Sequence, residues 1–185
     1  MSQTAYAITQ GAPFAGVLAD QQPNVIRSFT NKEATAALPF GVFVTRSGVL
    51  GDGAILLAAA GDTMKPLGVT VHRHSVNTIG SAAWSAAGGI PAGDRFDLLQ
   101  RGSAWIVAET AIAVTDALLL RWQANGAGKL VIGALRVGAD TGAAACPIAG
   151  IRVVEPCAAA GVVLVEFDLM VLMASNTAAG FLPKF

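Results

Sequence analysis

Short runs of β-branched and aliphatic residues, each closed by Gly, Pro, Asn or Asp, recur along the whole of this chain. That rhythm is the pattern of an all-β fold. Strands are expected at residues 25–29, 41–45, 67–72, 97–100, 103–109, 118–122, 130–132, 148–154 and 162–169. In 67–72 the alternation is clear: Leu67, Val69 and Val71 share one face, and Gly68, Thr70 and His72 share the other. The last strand continues through 170–174 with little polar interruption, as a strand covered on both faces would. One short helix is expected at 32–38, because Thr30 and Glu33 have capping-box spacing and Pro39 stops the run. The alanine clusters at 58–60, 143–145 and 158–160 are flanked by Gly and Pro and read as loops or strand ends.

No linker or composition shift divides the 185 residues, so a single domain is expected over 1–185. Its fold would be a compact antiparallel β-barrel or sandwich, jelly-roll-like, with an N-terminal arm over 1–24 and a C-terminal arm over 175–185. Gly61-Asp62 and Gly93-Asp94 are two similar turns, in which glycine supplies positive φ and the carboxylate bonds the backbone. Asn125-Gly126 is a hairpin signal between the strands on either side.

Charge excludes several functions. The chain carries 12 basic and 12 acidic residues, 13% in all, against about 25% in an ordinary soluble domain. Scattered and balanced, the Lys and Arg form no basic stripe for nucleic acid. With 54% apolar residues the chain is not disordered, and Asp116, Glu166 and Asp168 interrupt its most apolar runs, so no membrane-spanning helix is expected. The start, Met1-Ser2-Gln3-Thr4-Ala5-Tyr6, lacks the basic and apolar parts of a secretory signal, and folding in a cytoplasm is expected. A domain of this size buries about 70% of its unfolded surface, so a chain this short of charge is expected to cover apolar area with partners.

Reactive groups do not assemble into a motif. His72 and His74 have the i, i+2 spacing of one strand face, but no Cys or carboxylate adjoins them as a third ligand, and they read as a partner-facing pair, not a metal site. There is no Gly-x-Ser-x-Gly elbow and no cysteine-protease context around Cys146 or Cys157. Each cysteine adjoins a proline, and the pair reads as two small buried thiols. Asp52, Asp62 and Asp94 each neighbour a glycine and are explained by turn chemistry. Neither Gly51-Asp52-Gly53 nor Gly126-Ala127-Gly128 continues into a nucleotide-binding fingerprint. No catalytic residue, cofactor or metal is expected. Trp84, Trp105 and Trp122 offer an alternative, the sugar-stacking platform of a glycan- or receptor-binding module, although Trp105 and Trp122 are explained as core or interface anchors.

The order of several segments resembles the cement or decoration proteins of tailed-bacteriophage capsids. These segments are Gly16-Val17-Leu18-Ala19-Asp20, Asn24-Val25-Ile26-Arg27-Ser28-Phe29 and Leu38-Pro39-Phe40-Gly41-Val42. Leu67-Gly68-Val69, the stretch from Leu98 to Val107 around Arg101-Gly102, Pro147-Ile148-Ala149-Gly150 and Gly161-Val162-Val163-Leu164-Val165 follow in order. Val114-Thr115-Asp116 stands where that family would have a Gly-Asp turn, and the His72 pair has no counterpart. The resemblance implies a non-enzymatic virion protein, made in the host bacterial cytoplasm, that binds the outside of the capsid and clamps neighbouring major capsid subunits. It also implies oligomers of the chain itself, often trimers. Terminal or turn-flanking position marks Phe14, Phe40, Trp84, Phe181, Leu182 and Phe185 as expected anchors, with Arg27 and Arg101 as rim hydrogen-bonders.

Overall fold

The computed structural model describes residues 14–19, 23–34, 37–48, 52–59, 62, 65–72, 89–124, 131–138 and 145–172. Ten strands run in the order β1 (Val25–Asn31), β2 (Phe43–Arg46), β3 (Gly53–Leu56), β4 (Gly68–Val71), β5 (Arg95–Ala108), β6 (Leu118–Arg121), β7 (Leu135–Val137), β8 (Ala145–Pro147), β9 (Ile151–Glu155) and β10 (Gly161–Asp168). Five of them close a ring: β1 pairs β3 in parallel, and β3–β2, β2–β4, β4–β5 and β5–β1 are antiparallel. The fold is all-β, and closure removes the open edges of these five strands.

Alternation decides what fills the ring. Phe29 opposes Phe96 and Thr70 opposes Leu98, and on this face Phe29, Val44, Ala54, Phe96 and Leu98 pack with Leu38, Phe40, Val42 and Ile90 in one buried cluster. The opposite face carries Phe43, Val69, Val71 and Leu99 into a second, larger cluster. Thr70 is wholly buried, yet its hydroxyl donates to the Pro39 carbonyl (2.7 Å) and accepts from the Val42 N–H (3.1 Å), so the barrel holds it without an unmet polar group.

The sequence pattern suggests two strands at 97–100 and 103–109. They form one strand of 14 residues, β5, which runs on through Arg101 and Gly102. Its first part lies between β1 and β4, and beyond Arg101 it pairs with β10 in unbroken register from Arg101↔Asp168 to Ala108↔Gly161. Residues 16–19 lie along it as well, since Trp105 donates to the Val17 carbonyl and Ala19 to that of Ser103. At the changeover Gly102 has φ +130°, and a Cβ there would collide with Asn24 Oδ1. The second cluster is completed by Ala104, Ile106 and Ala108 with Val163, Val165 and Phe167, backed by Leu118, Leu120 and Leu135 of the β6–β7–β8 group.

Three expectations need correction. The described residues of 32–38 are not helical: Asn31 Oδ1 accepts the Glu33 N–H (2.9 Å), and Glu33 Oε1 accepts the Leu56 N–H (2.7 Å), so that carboxylate extends β3 instead of closing a capping box. The short helix is at 169–172, where a continuing strand was expected. Asp168 Oδ1 accepts the Met170 N–H (2.9 Å) and starts the turn, Leu172 is buried, and Met170 and Val171 face solvent. The expected strands at 130–132 and 148–154 shift to β7 and to the pair β8 and β9. The latter two are split at Gly150 (φ +84°), whose missing side chain lets the backbone of Leu172 approach. The β3 strand was not anticipated. The Asn125-Gly126 turn lies outside the described residues, although β6 and β7 are antiparallel as a hairpin requires.

Of the expected turn carboxylates, Asp62 does bond backbone, accepting from Ala58 and Ala59, whereas Asp52 accepts from the side chain of Arg95 (2.7 Å); Asp116, where no such turn was expected, accepts the Ala113 N–H. Cys146 and Cys157, expected to be buried, are half-buried and not joined in a disulfide, one on β8 and the other after β9.

One carboxylate joins three elements inside the second layer. Glu109, just past β5, accepts from Arg121 Nε at the end of β6, while Arg136 Nη1 of β7 stands 3.7 Å from its other oxygen. Arg121 is fully buried and also donates to the Gln123 carbonyl (2.9 Å). Removing one member leaves the other charge buried, which costs about 3–5 kcal/mol. Glu109→Ala is therefore expected to lower the urea midpoint by an equivalent amount, and an unchanged midpoint would contradict this role. Gly102→Ala is expected to cost about 1–3 kcal/mol from backbone strain alone. In an Asn24→Ala background the penalty should shrink because the collision is gone, as a double-mutant cycle by urea unfolding would record.

Candidate interaction surface

Across the sheet order β1–β5–β10–β9, cross-strand partners share a face. Val25 opposes Arg101, Arg101 opposes Asp168, and two residues further along, Ser103 opposes Glu166 and Glu166 opposes Arg152. The intervening Phe167 turns the other way into the core. Alternation thus sets four charges on one outward face and the apolar residues beneath them.

These charges pair. Arg101 Nε lies 3.4 Å from Asp168 Oδ2, and Arg152 directs both Nε (2.8 Å) and Nη2 (2.5 Å) to Glu166 Oε2. Exposed pairs of this kind contribute about 0–1 kcal/mol to stability. Their orientation is more informative than their strength. The arginine side chains are 61% and 70% exposed, whereas Asp168 and Glu166 are 33% and 25% exposed, so the face turns guanidinium donors to solvent and keeps carboxylates low. An open groove runs past them, bounded by Gly150, Ile151 and Val171. Val25, Met170 and Val171, half of the exposed large apolar side chains among the described residues, adjoin it in register or in sequence.

A second feature is aromatic. The ring of His72 lies edge-on to Phe14 (5.2 Å between centroids, 90°) and at 4.9 Å from Phe40. The His72 N–H also donates to the Gly16 carbonyl, and the Gly16 N–H to that of Trp105. Residues 14–19 are thereby tied to the barrel, with Phe14 left 48% exposed as the outermost ring.

Of the anchors expected from sequence, Phe14 is exposed beside His72, and Arg27 and Arg101 are exposed on β1 and β5. Phe40 is instead buried in the barrel core, its ring 4.9 Å from that of His72, because Leu38-Pro39-Phe40 folds inward on the Leu38–Ile90 bridge. Trp84, Phe181, Leu182 and Phe185 lie outside the described residues, as does His74. Arg27 opposes Leu98 and is separated by a register irregularity from the Val25–Arg101 pair, while Phe14 belongs to the aromatic group. Sequence reasoning missed Arg152, Met170 and Val171. The signal for the last two was Asp168 ahead of Leu169-Met170-Val171-Leu172, a capping residue followed by apolar residues of which Leu and Met favour helix.

Among the described residues no cluster of three His, Cys, Asp or Glu side chains could hold a metal, and no helix is long and apolar enough to cross a membrane. What the face offers is exposed hydrogen-bond donors beside apolar side chains, an arrangement suited to a macromolecular contact.

No curated protein matches the sequence. Among solved structures, a chain from the capsid of Myoviridae phage XM1 is similar in fold, with a TM-score of 0.58 at 19% identity over 88% of this chain and 95% of that one. The N base of the head fibre gp8.5 of bacteriophage phi29 is more distant, with a TM-score of 0.44 at 13% identity over 80% and 96% of the two chains. The family model described as structural cement protein (E217 gp24/Pam3 gp6) matches residues 1–168, nearly the whole of the barrel and its second layer. Matched across that length, the chain belongs to the structural cement protein family of bacteriophages, and its role is structural, in the virion.

Proposed function

We propose that this protein is a non-enzymatic capsid cement that binds the exterior of the assembled shell and clamps neighbouring major capsid subunits. The family match over residues 1–168 carries this reading. It is supported by a composition in which only 13% of residues are charged, because interface cores are depleted in charge and burying ions is costly. In this reading the chain is made in the host cytoplasm, associates with copies of itself and with the major capsid protein, and uses no cofactor, nucleic acid or membrane.

The physical mechanism is mass action. A protein that binds the assembled lattice, and not free subunits, stabilises the lattice by RT ln(1 + [L]/Kd) at each site, about 2.7 kcal/mol at a hundredfold excess over Kd. Repeated over many sites, this opposes the pressure of a packaged genome. Phe14, Arg27 and Arg101 are the described residues expected to meet the shell, and Trp84, Phe181, Leu182 and Phe185 are assigned the same role from sequence.

The proposed C-terminal arm, residues 175–185, can be tested apart from the described core. Leu172 is the last residue in the buried cluster, so a chain ending at residue 174 keeps the whole described core. Deleting residues 175–185 is expected to leave thermal unfolding within a few degrees of the full chain and to abolish decoration of purified shells, measured by co-sedimentation and gel densitometry. Unchanged occupancy by the truncated protein would refute the arm.

A further inference from the structure

We infer that the outward face around Arg101 and Arg152 receives a carboxylate-bearing segment of the shell subunit, with apolar side chains that cover Met170 and Val171. This deepens the proposed function and rests on it. Three observations lead to it.

The first is the tilt of the charges. All four groups sum to zero, yet the guanidiniums are 61% and 70% exposed and the carboxylates 33% and 25%, so an approaching chain meets donors. Arg152 directs two of its nitrogens to a single oxygen, Glu166 Oε2, so the rest of the fork faces solvent. Guanidinium forks match carboxylates geometrically as well as electrostatically.

The second is the apolar border. Met170 and Val171 are 75% and 53% exposed on a turn that cannot rotate them inward, because Leu172 is buried and its backbone lies against Gly150. A Cβ at Gly150 would lie 2.7 Å from Leu172 Cα. This turn presents two large apolar side chains beside the arginines, the combination of buried apolar centre and polar rim found in specific interfaces.

The third is the composition of this chain's own terminal segments. Residues 1–13 and 173–185 contain no Asp or Glu, and the latter carries Lys184. Neither segment offers a carboxylate side chain to set against the arginines, which favours a different polypeptide as occupant.

The experiment uses the full-length protein and purified expanded shells that lack it, with binding titrated by co-sedimentation at low and high salt. The variants are Arg101→Gln with Arg152→Gln, and separately Met170→Ser with Val171→Ser, and these side chains are exposed enough to leave thermal unfolding near that of the parent. Each pair is expected to weaken shell binding at least tenfold at low salt. Added salt should weaken the parent markedly and the arginine variant much less, since exposed charge contacts are screened over about 10 Å at 0.1 M. Parent-like binding and salt response in both variants would overturn the inference while leaving the cement reading intact. Loss of shell binding together with a fall in oligomeric mass would place the face between copies of this chain and overturn it too. A parent protein that binds no shell would overturn both readings.

Discussion

Strand β5 has to satisfy two hydrogen-bonding environments in succession, and most of the molecule is arranged around that demand. Over Arg95–Arg101 it closes the ring with β1 and β4, and over Arg101–Ala108 it holds β10 on one side and residues 16–19 on the other. Its side chains serve both clusters, Phe96 and Leu98 inside the barrel and Leu99, Ala104, Ile106 and Ala108 in the second layer. Neither cluster can lose β5 and remain closed. The changeover falls at Gly102, where positive φ and the proximity of Asn24 leave no room for a side chain.

A chain this poor in charge still places a few charges deliberately. Glu109, Arg121 and Arg136 are buried where β5, β6 and β7 meet, and the short β7, which touches β5 at one paired residue, is held there by charge as well as by backbone. The other grouping, Arg101, Asp168, Arg152 and Glu166, lies on the outward face of β5, β10 and β9, where it adds little stability and defines a surface. The same residue types therefore do different work according to burial. Inside, each charge needs its partner to exist at all; outside, the partner only tilts which sign reaches solvent.

The part of this arrangement that was legible in the sequence is the part carried by alternation. Strands near 25–29, 41–45, 67–72, 118–122 and 162–169 can be read from apolar periodicity, and β1, β2, β4, β6 and β10 occupy them. Failures fall where a side chain bonds backbone in a way the apolar pattern does not show, whether far off or two residues away. Glu33 looked like half of a capping box, but its carboxylate reaches the Leu56 N–H, 23 residues away. Met170 and Val171 looked like strand because they continue an apolar run, yet the pairing of β10 with β5 ends at Asp168, opposite Arg101, and Asp168 caps a helical turn instead. Arg101 was legible as a surface residue from its place beside a glycine. Arg152 was not, because its significance comes from a register that sets it opposite Glu166.

From sequence alone come the all-β class, the shortage of charge and the likeness to capsid cement proteins, since composition and a two-residue period are properties of each segment by itself. Tertiary structure decided that the sheet closes through β1 and β5, that Phe40 faces inward, and which arginines turn outward beside Met170 and Val171. The reason is physical. Alternation tells a strand which residues share a face, but closure and register depend on bonds such as Ser28 Oγ to Asp97, 69 residues apart, and no local pattern specifies which of many equally apolar edges will meet.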